Sequence, residues 1–275
     1  IRVSHCDMSR EAIGHLPLFL NSCSAIRMIV HICKHLGSPV AVKSAQRVLD
    51  ILQMFAADPT PAPLGEIARI LKLPKSSCFA LLQTLEGSGY LYQLRGGHYY
   101  PTTRWLADAT RISSRDQVLK RVRPVLETLR DETGETLLFA KRVGLQALYL
   151  DIVESRQITR YTAEVGQTKP LHCSASGHAL LGGMEAADRE ALIRRLPMQK
   201  LTDHTVVDRK ALGARIAASA ERGWFHSLRE YHPETAAVGV PVRIDGDVYA
   251  VLVAAPYQRL GKSMAKAGAK LIAAT

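Results

Sequence analysis

The 275-residue sequence predicts an α+β protein with an N-terminal winged helix-turn-helix, a helical linker and a C-terminal α/β domain. Three observations predict it. Residues 64–101 read as helix, turn, helix and β-hairpin; residues 103–133 carry two helical stripes; beyond Gly134, strand-like and helical patterns alternate.

Residues 1–42 hold apolar runs at 16–20 and 26–33 without sustained period or caps, so they read as a poorly ordered extension or as translated upstream sequence. His31, Cys33 and His35, with Cys23 nearby, fit no standard zinc spacing. Ser44 is expected to cap a first helix whose apolar side is Ala45, Val48, Leu49, Leu52 and Phe55. Three prolines stiffen the loop at 58–63. Leu64, Ile67, Ala68 and Leu71 share one face of a short second helix. Lys72-Leu73-Pro74 breaks it, and Pro74 suits the first position of the next helix. That third helix turns Cys78, Leu81, Leu82 and Leu85 inward, leaves Lys75, Ser76, Phe79, Ala80 and Gln83 outside, and stops at Gly87-Ser88-Gly89. Strands at 90–94 and 98–100 flank Arg95-Gly96-Gly97, a hairpin with a flexible basic tip. Such a unit lays its second motif helix in a DNA major groove and its wing on the backbone.

A connecting helix is predicted at 103–114, with Trp105, Leu106, Ala109 and Ile112 as its stripe. The next, at 115–133, carries Val118, Val122, Val125, Leu126 and Leu129 on one side; Pro124 kinks it or marks its start, and Gly134 ends it. Strands follow at 136–143, 146–153 and 158–165, then helices at 174–184, 186–196 and 208–222. Strands return at 224–228, 236–244 and 248–255, with Asp245-Gly246-Asp247 as a hairpin turn, before a last helix at 262–274.

The formal net charge of +11 points to an anionic partner, and residues 43–115 are the denser part, with nine Lys/Arg against five Asp/Glu. Five cysteines without a C-x-x-C pair argue for reduced thiols and a cytoplasmic setting. No apolar run is long enough to span a bilayer, and Asn21, Arg27 and His31 interrupt any signal-peptide pattern, so no membrane partner is expected. There is no nucleotide loop, metal-ligand spacing or carboxylate pair; no cofactor and no metal are expected, and an enzyme is disfavoured.

Several ordered motifs carry a family resemblance. They are Leu73-Pro74-Lys75-Ser76-Ser77, Leu81-Leu82-Gln83-Thr84-Leu85, Gly89-Tyr90-Leu91, Arg123-Pro124-Val125-Leu126, Glu132-Thr133-Gly134-Glu135-Thr136, Pro170-Leu171-His172-Cys173-Ser174-Ala175-Ser176-Gly177 and Gly239-Val240-Pro241-Val242-Arg243. From about Val42 to the C-terminus the chain resembles the IclR family of bacterial transcriptional regulators. The resemblance implies a GAF-like C-terminal sensor domain, double-stranded operator DNA as partner, and a small-molecule effector, an organic or aromatic acid from a catabolic pathway. It also implies a homodimer or homotetramer, and either repression or activation. The expected boundaries are 1–42 for the extension, 43–101 for the DNA-binding domain, 102–115 for the linker helix and 116–275 for the effector-binding and oligomerisation domain.

The chain departs from the family pattern in places. Ala80 stands where many members carry a basic residue before the Leu-Leu pair, so no bidentate guanine contact arises there. His178 stands where members often have Lys. Ala237, Leu252 and Ala254 replace the usual Cys and Ser of the final sheet, which implies a more apolar pocket.

On this basis Lys75 and Arg95 are expected on phosphates, Ser76, Ser77 and Gln83 on base edges, and Arg47 beneath the site or on backbone; the plain alternative is a solvated helix face. The effector is expected where Ser174, Ala175 and Ser176 open a helix, since free N–H groups there suit a carboxylate. Leu171, Ile158, Tyr161, Ala237, Leu252 and Ala254 would surround its apolar body, unless Ser174 is only a cap and the rest core. Two other functions fit parts of the sequence: a small-molecule hydrolase or lyase using Cys173 with His172 or His178, and a DNA-binding dimer without ligand sensing.

Overall fold

Helical period, strand alternation and turn chemistry fall into two units, which meet in sequence between Asp108 and Ala109. The structure is a computed structural model and describes residues 42–275. Expectations for residues 1–41, including Cys23, His31, Cys33 and His35, lie outside the described residues.

In the first unit, α1 (Lys43–Ala57) begins after Val42 rather than at Ser44, and no side chain caps it. Ile51 and Phe55 are its buried residues while Leu49 is exposed, because the Val48-Ile51-Phe55 stripe wins over the 45-49-52 one. β1 (Ala62–Pro63) leads into α2 (Leu64–Ile70), and α3 (Lys75–Gly87) follows. The turn between α2 and α3 is a Schellman closure: Leu73 N–H donates to Ala68 O at 2.9 Å and Lys72 N–H to Arg69 O at 3.3 Å. Lys72 takes the left-handed conformation this requires, at φ 54°. Pro74 sits just before α3 as its cap, not as its first residue; its carbonyl accepts the Cys78 N–H at 3.0 Å. The same closure ends α3, where Gly89 at φ 74° lets Tyr90 N–H reach Leu85 O at 2.8 Å. β2 (Leu91–Leu94) and β3 (His98–Pro101) form the hairpin, and β1 adds to it in the order β1-β3-β2. Ile51, Phe55, Ile67, Cys78, Leu82 and Leu85 meet in one core beneath this sheet.

Helix α4 (Arg104–Ser113) spans the division. Its predicted stripe buries little: Leu106 is 68% exposed and Ile112 74%. In the second unit α5 (Gln117–Thr133) is capped by Asp116, whose carboxylate accepts the Leu119 N–H at 2.9 Å, and it ends at Gly134 with φ 73°. Pro124 lies inside it. Six strands form one antiparallel sheet in the order β6-β5-β4-β9-β8-β7. They are β4 (Thr136–Val143), β5 (Gln146–Val153), β6 (Thr168–Pro170), β7 (Phe225–Leu228), β8 (Thr235–Ile244) and β9 (Asp247–Pro256). Helices α6 (Ala175–Gly182), α7 (Ala186–Arg195) and α8 (Arg209–Arg222) bury one face. The other face is buried by α5, by the short α9 (Tyr257–Leu260), absent from the sequence reading, and by α10 (Met264–Ala274).

One strand expectation is corrected. Residues 158–165 are not a strand; the edge strand is β6, and Ile158 is 99% exposed. The segment is held through isolated bonds instead, such as the Thr136 hydroxyl donating to Tyr161 O at 2.7 Å. Tyr161 and Ala163 do turn to the core, but Ile158 and Val165 at its ends stay exposed, so the inward alternation is too short to specify a ladder.

Helix α6 is buried all round, which explains its run of Ala, Ser and Gly. A Cβ at Gly177 would lie 2.3 Å from Leu171 O, and one at Gly182 would lie 1.9 Å from the Phe225 ring. Gly177→Ala is therefore expected to cost at least about 1–3 kcal/mol. Gly65→Ala in α2, with nothing within 4 Å, should instead stabilise by about 0.5–1 kcal/mol. Urea unfolding of both variants checks the pair; equal effects would contradict the packing described.

Candidate functional site

The outward side of α3 is polar and open. Lys75, Ser76, Ala80 and Gln83 are exposed and Ser77 is half-buried, while Cys78, Leu82 and Leu85 anchor the opposite side. Burial pushes the Cys78 thiol above its usual pKa, in keeping with a packing role. Arg95 is exposed at the hairpin tip, where Gly96 and Gly97 adopt φ 86° and 77°. Arg47 is half-buried on α1. Sequence reasoning missed the support of the wing root. The Trp105 indole N–H donates to Tyr90 O at 3.0 Å, the Tyr90 hydroxyl donates to Asp108 at 2.7 Å, and Arg104 lies 4.8 Å from the Tyr90 ring centroid.

In the second unit a cavity lies between the start of α6 and the sheet. Of the expected lining, Tyr161, Ser174, Ala175, Ala237, Leu252 and Ala254 are there. Leu171 and Ser176 are buried but do not line it, because Leu171 backs Gly177 and the Ser176 hydroxyl turns to Ser174 Oγ at 3.2 Å. Ile158 is excluded by its exposure. Ser174 also caps α6: its Oγ accepts the Gly177 N–H at 3.1 Å and donates to Pro170 O at 2.6 Å.

The cavity is not the apolar one that Ala237, Leu252 and Ala254 suggest. Tyr149 of β5, Lys169 of β6, Ser227 of β7, Thr235 of β8 and Tyr231 from the bend between those last two strands also line it. Lys169 is only 4% exposed, and burial lowers its pKa to about 8. Its free volume is about 30 Å³, room for roughly one water. The sequence offered no distinct signal for Lys169, since a lone Lys in a segment read as loop looks the same as a solvated one.

Cys173 and its histidines form no nucleophile pair. Burial pushes the Cys173 thiol up to about 12. The His178 ring nitrogens lie 2.7 Å from His226 O and 2.8 Å from His172 O, and His172 Nε2 lies 2.9 Å from Gln199 O. Burial, then the nearby Arg215 cation, lowers the pKa of His178 to about 4. Arg215 pairs with the buried Glu230. Among the described residues no three His, Cys, Asp or Glu side chains converge to hold a metal. Among the same residues no helix is long and apolar enough to cross a membrane.

Comparison with known proteins decides the family. Residues 44–95 match the IclR helix-turn-helix domain and residues 110–275 match the bacterial transcriptional regulator IclR C-terminal domain. The chain belongs to the IclR family. The protein named "Probable transcriptional regulator SauR" of Cupriavidus necator is 30% identical over 200 residues, covering 72% of this chain and 79% of SauR. The IclR of Thermotoga maritima shares the fold at TM-score 0.73 and 18% identity, over 85% of this chain and 96% of that one. An IclR homolog of Microbacterium hydrocarbonoxydans, solved as a complex with 4-hydroxybenzoate, aligns at TM-score 0.65 and 22% identity, over 84% and 98%. This IclR-family chain is thus a DNA-binding transcriptional regulator with a C-terminal effector-binding domain, not an enzyme.

The buried ammonium gives a test by pH. Tyr149, Tyr161, Tyr231 and Cys173 face Lys169, so the comparison is between the wild type and Lys169→Met, in which those groups are common to both. The folded pKa of Lys169 is depressed to about 8 from the ordinary 10.5, so its cost to stability is complete below pH 8 and fades as pH rises toward 10.5. Lys169→Met is expected to melt several degrees higher at neutral pH, with the gap narrowing above pH 8. A gap that widened with pH would contradict the assignment.

Proposed function

We propose that this regulator controls a catabolic operon in response to a small organic or aromatic acid, and that it acts in the cytoplasm as a homodimer or homotetramer. The observation that carries the DNA half is α3, whose apolar side is sunk in the core while Lys75, Ser76 and Gln83 stand in the open. Lys75 and the wing residue Arg95 contact phosphates, and Ser76, Ser77 and Gln83 read base edges. Arg47, half-buried on α1, supports the helix pair or meets backbone. The domains divide as 43–101 for DNA, 102–115 for the linker and 116–275 for the effector and assembly. The exposed Leu106 and Ile112 of α4 support self-association, since a paired copy would take them out of water.

The cavity under α6 is the effector site. Three tyrosines, a hydroxyl-bearing rim and a buried ammonium suit a planar acid, and the Microbacterium hydrocarbonoxydans homolog's complex with 4-hydroxybenzoate supports that class. An effector changes regulation only as far as it binds two states of the protein unequally.

DNA binding separates positioning from reading. Against the DNA upstream of its own gene, Lys75→Ala and Arg95→Ala are each expected to weaken binding across all sequences and to lower the salt slope by about one. Gln83→Ala should cost about 1–3 kcal/mol on the preferred site and little on random DNA. Fluorescence anisotropy over a salt series checks this; unchanged salt slopes for both cationic variants would remove them from the interface. In the same assay, a panel of aromatic and aliphatic acids should include one that shifts operator affinity at least about tenfold, the scale of ordinary allosteric coupling. A panel that leaves affinity unchanged while the protein binds DNA would favour a DNA-binding dimer without sensing.

A further inference from the structure

Lys169 sits on the edge strand β6, opposite Ala147 of β5, and its side chain lines the cavity. No Asp or Glu is among the lining residues, and among the described residues no carboxylate pairs with its Nζ. The ammonium rests 4.0 Å from the Tyr231 ring centroid and 6.0 Å from that of Tyr149. Ring faces offset part of the cost of desolvating a cation, but a buried charge is normally paired. Here no pairing carboxylate stands beside it among the described residues, and the cavity it lines is where a ligand would supply one.

We infer that Lys169 selects the effector by its charge: the ammonium pairs with one carboxylate of the ligand while Tyr149, Tyr161 and Tyr231 hold a planar body. This rests on the reading of the cavity as the effector site. With about 30 Å³ free, a ligand enters only if side chains give way, and Lys169 and Tyr231 are the pair in contact there. A carboxylate draws the ammonium off the Tyr231 ring and replaces a ring contact with an ion pair in a low dielectric. A neutral isostere forces the same displacement and leaves the ammonium unpaired, so acid and amide are discriminated strongly. Binding also takes up protons. With the pKa held at about 8 in the empty site, an anion bound near that pH recruits about half a proton, since pairing returns the group to full charge.

Isothermal titration of the full chain with benzoate, 4-hydroxybenzoate and phenylacetate, and with the corresponding amides, tests this. The wild type is expected to bind at least one acid about a hundredfold more tightly than its amide. Lys169→Met should bind both with the wild type's amide affinity, within about threefold. Repeating the titration near pH 8 in two buffers of different protonation enthalpy should show proton uptake in the wild type and none in the variant. A melting curve establishes that the variant is folded. A Lys169→Met protein that still prefers the acid, or still takes up the proton, would overturn the inference and leave the cavity reading standing. Ala254→Leu, which narrows the cavity, should weaken every probe; acid binding untouched by it would instead overturn the cavity reading. If no acid binds the wild type at millimolar concentration, both fall together.

Discussion

Cys78, Leu82 and Leu85 fasten one side of α3 into the core, and this single constraint decides what the other side can do. A helix anchored at positions 78, 82 and 85 has no freedom to roll, so Lys75, Ser76 and Gln83 are held outward as a rigid set. The Schellman closures at Lys72 and Gly89 fix where that helix begins and ends. The wing follows from the second closure, because Tyr90 leaves Gly89 directly into β2 and is clasped by Trp105 and Asp108. A ready-made polar rod of this kind can dock on a duplex without paying to order itself first.

The second unit depends on a different constraint, the closeness of α6 to the sheet. Gly177 and Gly182 allow an approach that any side chain would block, and the helix end that results forms one wall of the cavity. Around it the chain has placed a buried cation, whose pKa is lowered by desolvation. Retaining such a group makes sense for a site that waits for an anion, and the cost it imposes on the empty state becomes discrimination in the filled one.

Much of this was legible in the sequence, for reasons that differ by element. The period-3.6 and period-2 patterns located the helices and the hairpin of the first unit, and strands 136–143 and 146–153 fell where β4 and β5 stand. Failures came where local signals competed or vanished. Ser44 looked like a cap, yet the cap position of α1 lies two residues earlier, at Val42, and Leu49 lost the inward face to Ile51 because two overlapping stripes are possible. Ile158 looked like strand, but an apolar residue in an irregular segment gains nothing from pairing it cannot make. In the site, the apolar Ala237, Leu252 and Ala254 lie on the cavity wall, but the polar residues beside them come from elsewhere in the chain. Tyr149, Lys169 and Tyr231 meet there from distant parts of the chain, and no spacing in one sequence announces such a meeting.

The central claim is that the open side of α3 lies against DNA bases. Site-specific photo-crosslinking measures this most directly, with the reactive group placed at Gln83 on α3 or, as control, at the exposed Gln53 on α1. The account predicts adducts to bases of the operator from position 83 and none from position 53. Adducts from 53 and not from 83, or equal yields from both, would contradict it.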